Sequence, residues 1–167
     1  MTDPSSLPFA LPDITEEEVE AVVKVLRSRW LTTGKEATLF ETEFAEQLGM
    51  AHGVALNSCT AALHLGLEAL GVGPADVVFV PTYTFAASGE VVRYLGAVPC
   101  LVDVDPVTLN ISVEDLRSKV AQVAQAHRTG NGGPPKAIIP VHIAGVPCEM
   151  NEIWQIARDY DLAIVED

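Results

Sequence analysis

Val77-Val78-Phe79-Val80-Pro81-Thr82-Tyr83-Thr84-Phe85 is the stretch that decides how this chain folds. Four apolar residues in a row, with no polar alternation, describe a strand buried on both faces. Pro81 and the hydroxyl-rich turn stop it. A helix is then expected over 85–95, closed by Gly96. A second apolar run, Cys100-Leu101-Val102-Asp103-Val104, follows at once. Strand, helix and strand without a hairpin signal make a βαβ unit, whose strands run parallel.

The alternation extends in both directions. Upstream, Val54-Ala55-Leu56 reads as a strand leading into a helix over 60–70 closed by Gly71. Downstream, Ser112 with Asp115 three residues later opens a helix, and Ala137-Ile138-Ile139-Pro140-Val141 reads as the next strand. A helix over 149–160 follows, then a last strand, Leu162-Ala163-Ile164-Val165, carrying Glu166 and Asp167 at its carboxyl end. The expectation is an α/β fold with a mostly parallel sheet covered by helices on both faces. Residues 127–135 interrupt the rhythm with a polar loop rich in Gly and Pro.

Residues 1–40 read as an N-terminal arm of helix and loop. Thr15-Glu16-Glu17-Glu18 is a capping box, with Ile14 and Val19 spaced as a hydrophobic staple. Val19, Val22, Val23 and Leu26 then form one apolar stripe. Trp30-Leu31-Thr32-Thr33-Gly34 follows as a loop, and a second helix is expected from about Thr38 to Leu48, stopped by Gly49.

Ten Lys+Arg against 23 Asp+Glu give a net charge of −13, which speaks against nucleic acid or an anionic membrane as partner. No apolar run reaches the ~18 residues of a membrane span, and residues 1–6 lack the blocks of a signal peptide. Cys59, Cys100 and Cys148 are odd in number, far apart and without a CxxC spacing. That pattern suits a reducing cytoplasm and buried, inert thiols, and gives no metal site.

Four places carry candidate chemistry. In Asn57-Ser58-Cys59-Thr60 a helix begins beside two hydroxyls, and unpaired N–H groups at a helix N-terminus suit a phosphate, though simple capping explains the same residues. Tyr83 and Phe85 put aromatics on the same sheet edge, where a planar ligand could stack or the core could be filled. Asp103, Asp105 and His142 fall at strand ends, with turn and capping roles as the plainer reading. Glu166-Asp167 closes an apolar strand, where a carboxylate is costly unless a cation or hydrogen-bond donor meets it. Together these are the protein parts of a pyridoxal phosphate site: a phosphate cradle, a stacking aromatic and an acid facing the ring nitrogen.

Six blocks in order then bear a family resemblance: Trp30-Leu31-Thr32-Thr33-Gly34, Asn57-Ser58-Cys59-Thr60-Ala61-Ala62-Leu63, Pro81-Thr82-Tyr83-Thr84-Phe85, Gly96-Ala97-Val98-Pro99 with Val102-Asp103-Val104-Asp105, Pro140-Val141-His142 with Gly145, and Ile164-Val165-Glu166-Asp167. From about Leu11 onward the chain resembles the DegT/StrS nucleotide-sugar aminotransferases, which have the fold-type I architecture of pyridoxal phosphate enzymes. The resemblance implies that Ser58, Cys59 and Thr60 hold the cofactor phosphate, that Phe85 stacks on the ring and that Asp167 partners the pyridinium. It also implies His142 near the ring, with Trp30, Thr32 and Thr33 near the sugar nucleotide.

The activity implied is amino transfer from an amino acid, glutamate being expected, to a keto-sugar nucleotide, in a cytoplasmic homodimer. In the family the Schiff-base lysine lies beyond the Glu-Asp pair, and Lys24, Lys35, Lys119 and Lys136 match no such motif. Residues 41–167 are therefore expected to be the N-terminal portion of the large cofactor-binding domain, inactive alone. Two other readings remain open at this point. One is a pyridoxal phosphate-dependent sugar dehydratase on the same scaffold, and the other a non-catalytic binder of phosphorylated metabolites.

Overall fold

The computed structural model describes residues 11–167, so the reading of residues 1–6 falls outside the described residues. The chain divides into two compact units, Met1–Ala55 and Leu56–Asp167.

In the first unit, α1 (Glu16–Ser28) starts at the capping box expected of it. The Glu18 carboxylate accepts from the Thr15 N–H and hydroxyl, each at 2.6 Å, and Thr15 Oγ1 accepts from the Glu17 N–H. Those donors, the hydroxyl foremost, hold the Glu18 carboxyl below its ordinary range. The second helix, α2 (Lys35–Leu48), begins about one turn before the expected Thr38, with Gly34 as N-cap and Glu36 in the favoured acidic first turn. Gly49 ends it at φ 65°, a left-handed conformation that costs glycine little. The strand expected at Val54-Ala55-Leu56 does not form. Val54 is 77% exposed, and the Ala55 N–H donates to the Glu41 carboxylate at 2.9 Å, not to a neighbouring strand.

The second unit runs α3 (Cys59–Ala69), β1 (Val77–Pro81), α4 (Ala87–Tyr94), β2 (Val98–Val102), α5 (Val113–Arg128), β3 (Pro135–Ile138), a short 3-10 turn (Ile143–Gly145), α6 (Met150–Tyr160) and β4 (Ala163–Ile164). The four strands are parallel, in the order β2-β1-β3-β4. The sheet separates two cores. Val77 and Phe79 join Val102, Ile138, Leu116, Val120, Ile153 and Ile156 on the α5–α6 face. Val78 and Val80 join Leu63, Leu67, Val91, Val92 and Ile139 on the α3–α4 face. This is the period of two read across a strand buried on both sides.

The two faces follow from handedness. The crossover from β1 to β2 moves one way along the sheet, and that from β2 to β3 moves the other way. Right-handed connections in opposite directions put α4 and α5 on opposite faces. A reversal of this kind places the carboxyl ends of β1 and β3 at the switch point where ligands bind in open α/β sheets.

Strand limits move by a few residues, for local reasons. β2 stops at Val102 because the next amide, on Asp103, turns to the Asp115 carboxylate at 2.7 Å. β3 stops at Ile138, and Pro140 beyond it has no N–H to give the ladder. Past β4 the chain still tracks β3: Val165 N–H donates to Ile138 O, and Asp167 N–H to Pro140 O. Helix α5 continues through Arg128, which leaves only 129–134 of the expected loop.

Candidate functional site

Asp167 is the hub of the residues gathered at the carboxyl end of the sheet. Its backbone is fixed by two hydrogen bonds of 2.9 Å, N–H to Pro140 O and carbonyl from the His142 N–H. Its carboxylate is held on both oxygens. The Ser88 hydroxyl donates to Oδ2 at 2.8 Å, and the Cys59 thiol donates to Oδ1 at 3.3 Å. Ser88 in turn is 2.8 Å from Thr84 Oγ1.

Cys59 is the first residue of α3, and Ser58 is its N-cap, accepting the Ala61 N–H at 3.2 Å. The Ala62 N–H is taken by the Ser58 carbonyl. The N–H groups of Cys59 and Thr60 have no acceptor among the described residues. The capping and phosphate readings of this turn are therefore compatible: Ser58 caps, and two donors are left over. Cys59 departs from the expectation of a buried thiol, since it is exposed. The bond to Asp167 pushes its thiol pKa up, with burial and the carboxylate charge adding to the effect. Cys148 is buried as expected, its thiol pushed up first by desolvation.

His142 follows β3 and is half-buried. Its Nδ1 accepts the Cys148 N–H at 3.1 Å, so the ring proton sits on Nε2, 3.0 Å from Glu166 Oε2. The loop carrying it is strained at Ala144, whose φ is 52°. Asn110 pins that loop. It accepts the Ile143 N–H at 3.1 Å and donates to the carbonyls of Val146 and Pro147 at 3.0 and 3.1 Å.

The other candidates divide. Phe85 lies between β1 and α4, 81% exposed, and its ring meets no aromatic partner among the described residues. Tyr83 is also exposed. Asp105 takes the turn role: its carboxylate accepts from the N–H groups of Thr108 and Val107 and the Thr108 hydroxyl, which keeps its pKa low. Asp103 bonds its own turn through Val104 N–H. Trp30, Thr32 and Thr33 sit in the first unit, in the loop between α1 and α2, where the Trp30 indole N–H donates to the Thr32 carbonyl at 3.0 Å.

The profile of the DegT/DnrJ/EryC1/StrS aminotransferase family matches residues 12–167. The chain belongs to that family. Among relatives of this DegT-type chain, an uncharacterized protein of Methanocaldococcus jannaschii is 46% identical over 98% of the chain. The spore coat polysaccharide biosynthesis protein SpsC of Bacillus subtilis is 40% identical over 96%. The chain spans 39% of the length of each. A structure from Streptococcus pneumoniae, Spr1654, described as a sugar aminotransferase in its PLP form, superposes with a TM-score of 0.81 at 34% identity, covering 96% of this chain and 42% of its own. The parallel α/β architecture is thus that of the DegT-type aminotransferases.

Two residues that fix this arrangement escaped the sequence reading. Ser88 and Asn110 are the buried polar residues of the described chain, at 0% and 5% exposure. Ser88 sits in Ala86-Ala87-Ser88-Gly89, which reads as plain helix-start text. A serine between residues that face a core is a signal that could have found it. Among the described residues, no helix is long and apolar enough to cross a membrane.

Proposed function

We propose that this chain carries the phosphate-holding and ring-holding part of a pyridoxal phosphate site. The enzyme is an aminotransferase acting on a keto-sugar nucleotide with an amino-acid donor, glutamate, as a cytoplasmic homodimer. The observation that carries the reading is the Asp167 carboxylate, hydrogen-bonded on both oxygens beside the N-terminus of α3. Anion-binding donors and a poised acid side by side suit a ligand with a phosphate at one end and a cationic ring nitrogen at the other. The PLP form of the Streptococcus pneumoniae relative supports the cofactor, and the name of the Bacillus subtilis relative supports a sugar substrate.

When bound, pyridoxal phosphate supplies an electron sink through which an amino group passes from donor to keto carbon. The residues divide the work of holding it. The N–H groups of Cys59 and Thr60, with the Thr60 hydroxyl, take the phosphate at the positive end of the α3 dipole. Ser58 supports them by satisfying the Ala61 N–H. Phe85 offers a ring face for stacking. Asp167 keeps the proton on the ring nitrogen. His142, its Nε2 committed to Glu166 and its Nδ1 to the Cys148 N–H, stands as a neighbour. Trp30, Thr32 and Thr33 are assigned to the sugar nucleotide.

The test is a titration of the protein with pyridoxal phosphate followed by absorbance, then addition of glutamate and a keto-sugar nucleotide with mass-spectrometric detection of the aminated sugar. Saturable binding that weakens about tenfold or more in Asp167→Asn is expected. Absence of saturable cofactor binding by the intact protein would sink the reading.

A further inference from the structure

We infer that Ser88 is a positioning residue for Asp167, holding Oδ2 so that Oδ1 alone faces the ligand. The inference rests on the cofactor reading above. A fully buried hydroxyl is costly unless bonded, and Ser88 is bonded on both sides, to Asp167 Oδ2 and Thr84 Oγ1, each at 2.8 Å. A serine has one proton to give. Directed at an ionised carboxylate it makes a charge-assisted bond, and the Thr84 hydroxyl then donates to the Ser88 oxygen.

The two carboxylate oxygens are held unequally. Oδ2 has a buried hydroxyl donor at short distance, whereas Oδ1 has an exposed thiol at 3.3 Å, a weak donor that gives way easily. The oxygen held weakly is the one a cationic ring nitrogen can claim. No lysine or arginine pairs with Asp167 among the described residues. The titratable neighbours on the elements around it are Cys59 on α3 and Glu166 and His142 beside it, and the last two are turned to each other. Ser88 therefore fixes the carboxylate as a cationic partner does elsewhere, without competing for the ring nitrogen.

The experiment compares wild type, Ser88→Ala and Ser88→Thr with two readouts. The first is the carboxyl carbon chemical shift of Asp167 in the cofactor-free protein at neutral pH, assigned with Asp167→Asn. The second is the dissociation constant of pyridoxal phosphate. In Ser88→Ala the Asp167 carboxyl resonance should move and the cofactor should bind about tenfold more weakly, with Ser88→Thr restoring both. An Asp167 resonance that does not move in folded Ser88→Ala overturns the inference. If wild type fails to bind the cofactor, the functional reading falls, while the carboxyl resonance still decides whether Ser88 holds Asp167. Should Ser88→Ala fail to fold, Ser88→Cys keeps the shape with a weaker donor, and a displacement in the same direction is expected of it. No displacement there overturns the inference equally.

Discussion

The Cys59 thiol donates to Asp167 Oδ1 across 3.3 Å, tying the first turn of α3 to the carboxyl end of the sheet. A thiol that gives its proton to a carboxylate loses that bond on ionising and gains a negative neighbour, so its pKa lies above the ordinary value. The thiolate is the nucleophile, and a raised pKa leaves less of it at any given pH. Cys59 should therefore alkylate slowly for an exposed cysteine, with its rate–pH curve displaced upward. Asp167→Asn removes the charge and should bring the curve back down, with several-fold faster iodoacetamide labelling at about pH 8. Site-resolved mass spectrometry reads Cys59 apart from Cys100 and Cys148. Equal rates in the two proteins would mean that the contact does not form in solution.

Asn110 gives a second expectation, independent of any ligand. Its amide satisfies three backbone groups of the loop that carries Ala144 in a left-handed conformation. Asn110→Ala leaves the Ile143 N–H and two carbonyls without that partner, at a cost of about 1–3 kcal/mol. Asn110→Asp keeps the acceptor but turns an oxygen toward the carbonyls of Val146 and Pro147. At neutral pH it should be at least as destabilising, and less so in acid, where the carboxyl regains a proton to donate. Urea denaturation at constant m-value measures both.

That the sheet is parallel was legible because its central strand is apolar throughout: Val77 to Val80 could only be buried on both sides. Caps were legible where side chains make them, at Thr15, Ser58 and Ser112. Val54-Ala55-Leu56 misled because three apolar residues satisfy a strand pattern without a neighbour to pair with. In the candidate site, Asp167 and the α3 turn could be named from position. Ser88 and Asn110 could not, since their importance lies in contacts across 79 residues in one case and more than 30 in the other. Pairing at such separations has no local signature.

Two glycines separate crowding from entropy. A Cβ on Gly133 would stand 1.7 Å from the carbonyl oxygen of Ala75, next to the Pro134 carbonyl that receives the Val77 N–H and starts β1. The obstacle is backbone, so it cannot swing aside. Gly133→Ala should cost about 1–3 kcal/mol or more. Gly73 meets nothing within 4 Å and lies outside the left-handed region. Gly73→Ala should stabilise by about 0.4–1 kcal/mol through the unfolded chain. Thermal melts of the two variants should therefore move in opposite directions.

The division of the core by the sheet predicts which mutations interact. Phe79 and Leu116 are fully buried in one cluster, and Val91 is fully buried in the other. Phe79→Ala alone should cost about 3–5 kcal/mol and Leu116→Ala about 2–5, through lost burial and the cavity left behind. Residues that share a cavity do not add, because the first truncation lets the neighbours relax into the space that the second would have emptied. Phe79→Ala with Leu116→Ala should fall short of the sum by about 0.5 kcal/mol or more. Phe79→Ala with Val91→Ala acts on opposite faces of the sheet and should add to within about 0.5 kcal/mol. Where the double variants are too unstable to measure, Phe79→Leu and Val91→Ala carry the same cycle at smaller cost. Strong coupling across the sheet, with additivity inside the α5–α6 face, would contradict the two-core arrangement.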